Sequence, residues 1–494
     1  MTESTELEAA DFADPETEAT EAAVEEIQPK KPKFDRSITE GPLGRAVWKI
    51  AWPTMLTNII AGMQNVVDQI MVGNLIGIKA NAALGVANQI IILVIVFISS
   101  IFIGMSVMVA RFAGAHDHEK VNRTVYQAFL TAAFIALFIM APIGYFASPY
   151  LLDLINAEAS VKAEALPYLR ISFAFSMGLL IYFMTSGALR AAGNARTPMM
   201  LGLVMTLTNL GLNIVLIRGL GPIPAFGTAG SAIGTSIATG IVAIYSIYKM
   251  WSGTWVVGFP RGGGWGPDWS VIRKLFKFGL PSGIQGIAGN IGGFVMYGFI
   301  GSVAGGAIAQ AAFAICYTQL FSLITWGSNG LMGATAAVVG QNLGAKHPAR
   351  AFGAANTSAR FAIGGAVFLG LFYFFLPHQL LGIFGVTQPE ALEVGTELLR
   401  VLAFSGIFIA VALAYTGGLQ GSGDTKSPLY ISMISQVLIP VGICFVIKMV
   451  STLEPIHIWL AILAGHMTRC TLSVTRFLQG KWRNIAVDIE TTQA

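Results

Sequence analysis

The stretch VWKIAWPTMLTNIIAGMQNVVDQIMVGNLIG, residues 47–77, decides what kind of protein this is. It is apolar for more than the roughly 20 residues that a bilayer-crossing helix needs. Even so, it carries an acidic residue, Asp68. Of the 26 Asp and Glu in the chain, 12 lie in residues 1–40 and 13 in short polar breaks or at the C-terminus, which leaves Asp68 alone in an apolar stretch. A carboxylate in hydrocarbon is costly unless it is protonated, paired or hydrated, so Asp68 is the first candidate for lining a polar path or binding an ion.

The rest of the chain has the same character. Residues 80–110, 124–152, 171–189, 197–217, 219–248, 361–389, 401–423 and 427–447 contain no Asp, Glu, Lys or Arg. The uncharged run 278–345 is long enough for two helices with a turn at the glycine cluster 301–306, and a last span falls near 455–478. With the Asp68 segment this predicts 12 spans, an all-α integral membrane protein. A composition that is 54% hydrophobic and 11% charged excludes a water-soluble globule, whose charged fraction is about 25%. Uniformly apolar stretches also argue against a β-barrel, whose strands alternate.

Placing both termini on the cytoplasmic side puts 24 of the 30 Lys and Arg on that side, as expected for a plasma (inner) membrane protein. The basic surplus is therefore a matter of orientation, and no nucleic-acid partner is expected. Residues 1–40 carry 12 acidic against 4 basic residues without an apolar core, and read as a disordered acidic tail. Cys316, Cys444 and Cys470 lie inside spans without paired spacing, so neither a disulfide framework nor a metal motif is expected. His116 and His118 resemble a metal pair but stand in a loop without further ligands, and read as solvated. Arg469, with His466 nearby, is expected to snorkel from span 12 to the inner interface. The glycines at 262–264 lack a P-loop lysine, and no interfacial cluster of His and acidic residues points to an enzyme.

The chain is also a repeat. GALRAAGNARTP at 187–198 matches GGLQGSGDTKSP at 417–428, and VARFAGAHDHEKV at 109–121 matches VGQNLGAKHPARA at 339–351 by the same shift of 230. AWP at 51 and GLP at 279 echo each other at 228. This divides the chain into an N-terminal six-helix lobe (45–250), an inter-lobe loop (251–275) and a C-terminal six-helix lobe (276–480), pseudo-symmetric and parallel. The repeat acts as an internal control. Asp68 corresponds to Met296, and Asn209 and Asn213 correspond to Ile439 and Ile443. If the polar groups merely held the fold together, both halves would need them; a site confined to the first half is the better reading.

Positions three and four apart share a helix face. Thr54, Asn58, Ala61, Asn65 and Asp68 form one stripe on span 1, Gly202, Thr206, Asn209 and Asn213 another on span 5, and Ser231 and Thr235 a third on span 6. These stripes can converge on one hydrated pocket. Pro53 removes a backbone hydrogen bond in the inner half of span 1 and permits a hinge there.

The WP and NVVDQIMVG of span 1, GALRAAGNARTP, the two asparagines of span 5, GTAGSAIGT in span 6 and the second GSGDTKSP resemble the multidrug and toxic compound extrusion (MATE) transporters over about residues 45–480. The resemblance implies a two-lobed, 12-helix monomer in the lipid bilayer that exports small organic, often cationic or amphiphilic molecules in exchange for H⁺ or Na⁺, without a cofactor. It places the coupling carboxylate at Asp68, its polar partners at Asn209, Asn213 and Thr235, the bend at Pro53 and, more loosely, Tyr168 in the pocket beside Asn65. Many relatives have a second carboxylate where this chain has Asn213, which leaves the coupling ion open. A lone carboxylate among amides suits a proton, while several neighbouring oxygens suit Na⁺. The alternative is a flippase of lipid-linked precursors from the same wider superfamily, whose large anionic cargo would call for several cations inside the spans.

Overall fold

The computed structural model describes residues 34–488 apart from 156, 261–264 and 387. Twelve helical rods run through it: α1 (Leu43–Leu75), α2 (Ile78–Gly114), α3 (His118–Leu154), α4 (Ala159–Ala174 continuing as Ser176–Ala191), α5 (Arg196–Arg218), α6 (Gly227–Ser252), α7 (Trp269–Gly301), α8 (Gly306–Gly344), α9 (Pro348–Phe375), α10 (Pro389–Ser422), α11 (Lys426–Val450) and α12 (Pro455–Leu478). A helix satisfies its backbone groups internally, which is what apolar surroundings demand. Among the described residues, seven rods are long and apolar enough to cross a bilayer unaided, and α4, bent by 53° at Phe175, makes an eighth. The chain is thus an all-helical, multi-pass membrane protein of two six-helix lobes.

The repeat reappears in the backbone at the same shift. Gly193 and Gly423 end α4 and α10 with φ of 97° and 96°, a left-handed conformation that glycine adopts without penalty. The next residue then caps the following helix: Asn194 Oδ1 accepts from Thr197 N at 3.1 Å, and Asp424 Oδ1 accepts from Ser427 N at 3.2 Å. Even the rarer left-handed non-glycine residues correspond, His116 (φ 58°) with Lys346 (φ 61°).

The lobes meet where small residues let backbones touch. A Cβ on Gly104 of α2 would overlap the Leu275 carbonyl of α7, and one on Gly279 of α7 would overlap the Ser100 carbonyl of α2. On the pseudo-symmetric side, a Cβ on Gly330 of α8 would come within 2.5 Å of Met55 Cα in α1. Near the ends of α2 and α8 the contact is reciprocal, since Gly114 faces the Gln341 carbonyl and Gly344 faces the Arg111 carbonyl. At that end Gln341 Nε2 also donates to Ala191 O at 2.7 Å, across the lobe boundary.

Three sequence boundaries need correction. Residues 1–33 of the expected tail lie outside the described residues, but 34–40 are folded. Phe34 stacks on His118 with ring centroids 4.0 Å apart, so that histidine is not simply solvated, and Ile38 is fully buried with its carbonyl accepting from Arg350 Nη2 at 3.3 Å. Burial of two apolar side chains overrides the polar composition around them. The inter-lobe loop ends at Asp268, which caps α7 through Ser270 N at 3.0 Å. The basic residues that marked 269–275 as loop therefore ride on the first turns of a helix. After α12 the chain stays ordered to 488, with Trp482 buried and Arg111 Nη2 donating to Ile485 O at 3.1 Å.

Candidate functional site

Asp68 lies in the second half of α1, half-buried, with one carboxylate oxygen turned toward α5. Asn213 Nδ2 donates to Asp68 Oδ1 at 2.9 Å and approaches Asn209 Oδ1 at 3.3 Å. Asn209 Nδ2 donates to Thr235 Oγ1 of α6 at 2.9 Å, and the Thr235 hydroxyl donates to the Ser231 carbonyl at 3.0 Å. The helical period makes this possible, because Asn209 and Asn213 lie one turn apart on the same face of α5. The four residues singled out from the sequence, Asp68, Asn209, Asn213 and Thr235, thus form one continuous hydrogen-bonded chain across three helices.

Gln64 extends the chain although it was not in the predicted stripe. Its Nε2 donates to Asn209 Oδ1 at 3.1 Å, and its Oε1 accepts from Thr206 Oγ1 at 2.7 Å. The signal was available, since Gln64 precedes Asp68 by one turn. With the Asn209 amide turned over, its nitrogen would point at Asp68 Oδ1 at 3.3 Å and its oxygen would accept from Thr235 Oγ1 at 2.9 Å. That arrangement also sets the Asn209 nitrogen against Gln64 Nε2 at 3.1 Å and Asn213 Nδ2 at 3.3 Å, so both of those amides would have to turn with it.

Asn209 and Asn213 are 1% and 0% exposed, while Asp68 and Thr235 look into a cavity of about 780 Å³. Tyr168 and Asn65 line the same cavity. Asn213 stands behind it, with its Oδ1 buried, lacking a hydrogen-bond partner and lying against Gly234, where a Cβ would collide with it. Among the described residues no ion pair involves Asp68. The corner therefore combines one uncompensated carboxylate with amide and hydroxyl oxygens, the donor set for a proton or a hard cation. Nothing comparable occupies the second lobe at the related positions: Met296 is 4% exposed in an apolar cluster, and Ile443 packs against it.

Pro53 is buried inside α1, which continues through it, and the Pro53 carbonyl accepts from Thr57 Oγ1 at 2.7 Å. Thr54 and Asn58 bond within their own helix, Thr54 Oγ1 to Ile50 O at 2.6 Å and Asn58 Nδ2 to Thr54 O at 2.9 Å. They belong to the stripe but not to the cluster.

One cation was misplaced from sequence alone, and the surroundings of a second were missed. Arg469, expected at the inner interface, is 7% exposed inside the second lobe, where its Nε has no hydrogen-bond partner; His466, one turn earlier, contacts Ser405 Oγ through Nδ1 at 2.5 Å. The helix packs against α10 and α11, and the guanidinium is held in the interior they form. Arg190, counted on the inner side, stands at that end of α4 and also lines the cavity. It stands before the helix end and points back toward the lumen, a direction that charge counting along a chain does not carry.

A family model described as MatE matches residues 53–215 and 281–446, one copy in each half. "Probable multidrug resistance protein NorM" of Thermotoga maritima is 26% identical over 443 residues, covering 89% of this chain and 93% of its own. "Uncharacterized transporter YisQ" of Bacillus subtilis is 25% identical over 450 residues, covering 88% and 94%. A solved structure described as the outward-facing conformation of a multidrug resistance MATE family transporter of the MOP superfamily superposes with a TM-score of 0.84 at 20% identity, covering 92% of this chain and 98% of that one. At that identity the likeness bears on the fold alone.

Proposed function

The chain belongs to the MatE family of membrane transporters, and from that premise we propose that it is a secondary antiporter which exports small organic, cationic or amphiphilic molecules in exchange for an ion taken up at Asp68. The observation that carries this reading is the hydrogen-bonded cluster of Asp68, Asn213, Asn209 and Thr235, which opens on a cavity and has no counterpart in the second lobe. A network needed for folding would recur in a repeat; a coupling site need occur once.

Linkage supplies the mechanism. An ion that binds Asp68 more tightly in one facing state shifts the population toward that state, and it weakens any cargo that uses the same carboxylate. Cargo leaves as the ion enters. The reciprocal glycine contacts of α2 and α8 close the end where residues 34–40 and 485–488 lie, which the Lys and Arg distribution assigns to the cytoplasm of a plasma membrane. The cavity in this state accordingly faces outward. Pro53, beneath the cavity, would take up the change in α1 between states.

A proton suits a carboxylate with no cation beside it, because protonation removes the charge from the membrane outright. Na⁺ is the second reading, favoured by the buried, unpartnered Asn213 Oδ1, an acceptor still lacking a donor or a cation. Ethidium efflux from reconstituted vesicles under an imposed pH or Na⁺ gradient, compared with Asp68→Asn, tests both. The expected result is efflux driven by one gradient and reduced at least about 10-fold in the variant, within the range of site-to-site coupling energies. Undiminished gradient-driven efflux by Asp68→Asn would remove this carboxylate from coupling.

A further inference from the structure

The cavity has a charged group at each end, and the exporter reading uses only one of them. Asp68 and Tyr168 mark one end. Arg190 marks the other, one residue before Ala191, whose carbonyl takes part in the seal between the lobes. Tyr168 and Arg190 lie on opposite sides of the bend in α4, separated by about 30 Å of helix path at ~1.5 Å per residue. Among the described residues the Arg190 side chain makes no ion pair or hydrogen bond; its guanidinium lies over the Phe102 ring, 5.3 Å from the centroid. It also lies against Gly333 of the second lobe, where an added Cβ would stand in ordinary contact with it, 3.5 Å from Arg190 Cζ.

The internal repeat again separates function from folding. Arg190 corresponds to Gln420, which lines the same cavity and donates to Ser282 Oγ and Gln285 Oε1, each at 3.4 Å. A neutral amide fills this position in the second lobe, so neither the turn nor the packing of the repeat requires a cation there. A guanidinium in a confined space without a counter-charge is a built receptor for a planar anion, because its fork matches the two oxygens of a carboxylate.

On the exporter reading of this cavity, we infer that Arg190 is a substrate-binding residue and that the preferred cargo is a small organic zwitterion whose acidic group is held by Arg190, at the end of the cavity away from Asp68. A purely cationic cargo leaves Arg190 uncompensated and is handled less well.

The test compares one dye in two forms, tetramethylrhodamine as its free carboxylate and as its methyl ester, the ester keeping the cationic ring system while removing the anion. Binding to the full chain in lipid nanodiscs is read by fluorescence anisotropy for the parent, Arg190→Gln, Arg190→Lys and Asp68→Asn. The parent should bind the acid more tightly than the ester. Arg190→Gln should weaken the acid by roughly 10-fold or more, the loss of a charge-assisted hydrogen bond, and leave the ester within about twofold. Arg190→Lys should keep part of the preference, and Asp68→Asn should move both dyes together. Retained ester binding by Arg190→Gln shows that its site is folded. A parent that does not prefer the acid, an Arg190→Gln that weakens both dyes alike, or no binding of either dye would each overturn the inference. Failure of the exporter reading shows elsewhere, as ethidium efflux that no gradient drives.

Discussion

Among the described residues Asp68 accepts one hydrogen bond, from Asn213 Nδ2 at 2.9 Å, so the neighbour matters almost as much as the carboxylate. Asn213→Ala removes that donor and, with it, the unpartnered Oδ1 that packs on Gly234. Polar contacts between membrane helices are worth about 0.6 kcal/mol on average and rarely above ~2 kcal/mol, so the thermal stability of Asn213→Ala should change little. Exchange should fall much further, by about 10-fold or more, because the ion site itself changes. Melting and gradient-driven efflux measured on the same preparation separate the two effects; a large stability loss with normal exchange per folded molecule would make Asn213 a structural residue. At this scale the sequence was legible where a helical period sufficed, as for Asp68, Asn209 and Asn213. It was not legible for Arg190, because the side-chain direction at a helix end depends on what the neighbouring helices leave open.

Among the helices, the start of α7 shows how a loop charge fixes an element. Asp268 Oδ1 accepts from Ser270 N at 3.0 Å and Val271 N at 3.4 Å, while its other oxygen pairs with Arg123. Partial burial by itself would raise the Asp268 carboxyl, but the hydrogen bonds from Ser270, Arg123 and Val271 outweigh it and hold the group below its usual value. A carboxyl depressed in the folded state stabilises the fold above its unfolded pKa of about 3.9 and loses that contribution as pH falls through the lower folded value. Thermal stability in detergent should therefore show no Asp268 contribution to its pH dependence between about pH 5 and 8, and should drop below about pH 4. Asp268→Asn should flatten that acid limb and cost about 1 kcal/mol or less at neutral pH, the scale of a helix cap. An acid limb unchanged in Asp268→Asn would assign it to other carboxyls. The sequence ran the inter-lobe loop on to 275, past this cap, and it could not see that Arg123 waits across the gap to complete it.

For the whole molecule, the question is whether the seal between lobes opens. Ala110 of α2 and Gly340 of α8 correspond under the repeat and face each other, a Cβ on Gly340 falling 2.6 Å from Ala110 Cβ. A disulfide needs Cβ atoms about 3.8 Å apart, so the pair can be bridged after a shift of roughly 1 Å. Ala110→Cys combined with Gly340→Cys, in a background with Cys316, Cys444 and Cys470 replaced, should transport when reduced and stop when oxidised, recovering with reductant. Full activity of the cross-linked form would show that exchange does not need these helix ends to part.

The sequence by itself determined the membrane class, the repeat, and a one-sided polar cluster on spans 1, 5 and 6. Each of these follows from period and composition, which are properties of the chain order. Tertiary structure alone decided which of the polar residues touch, that Gln64 joins the cluster through Asn209 while Asn58 bonds only to its own helix, and that Arg190 faces a lumen and Arg469 a core. These outcomes depend on the bend in α4 and on how closely glycines let the helices approach, distances that a single chain read residue by residue does not contain.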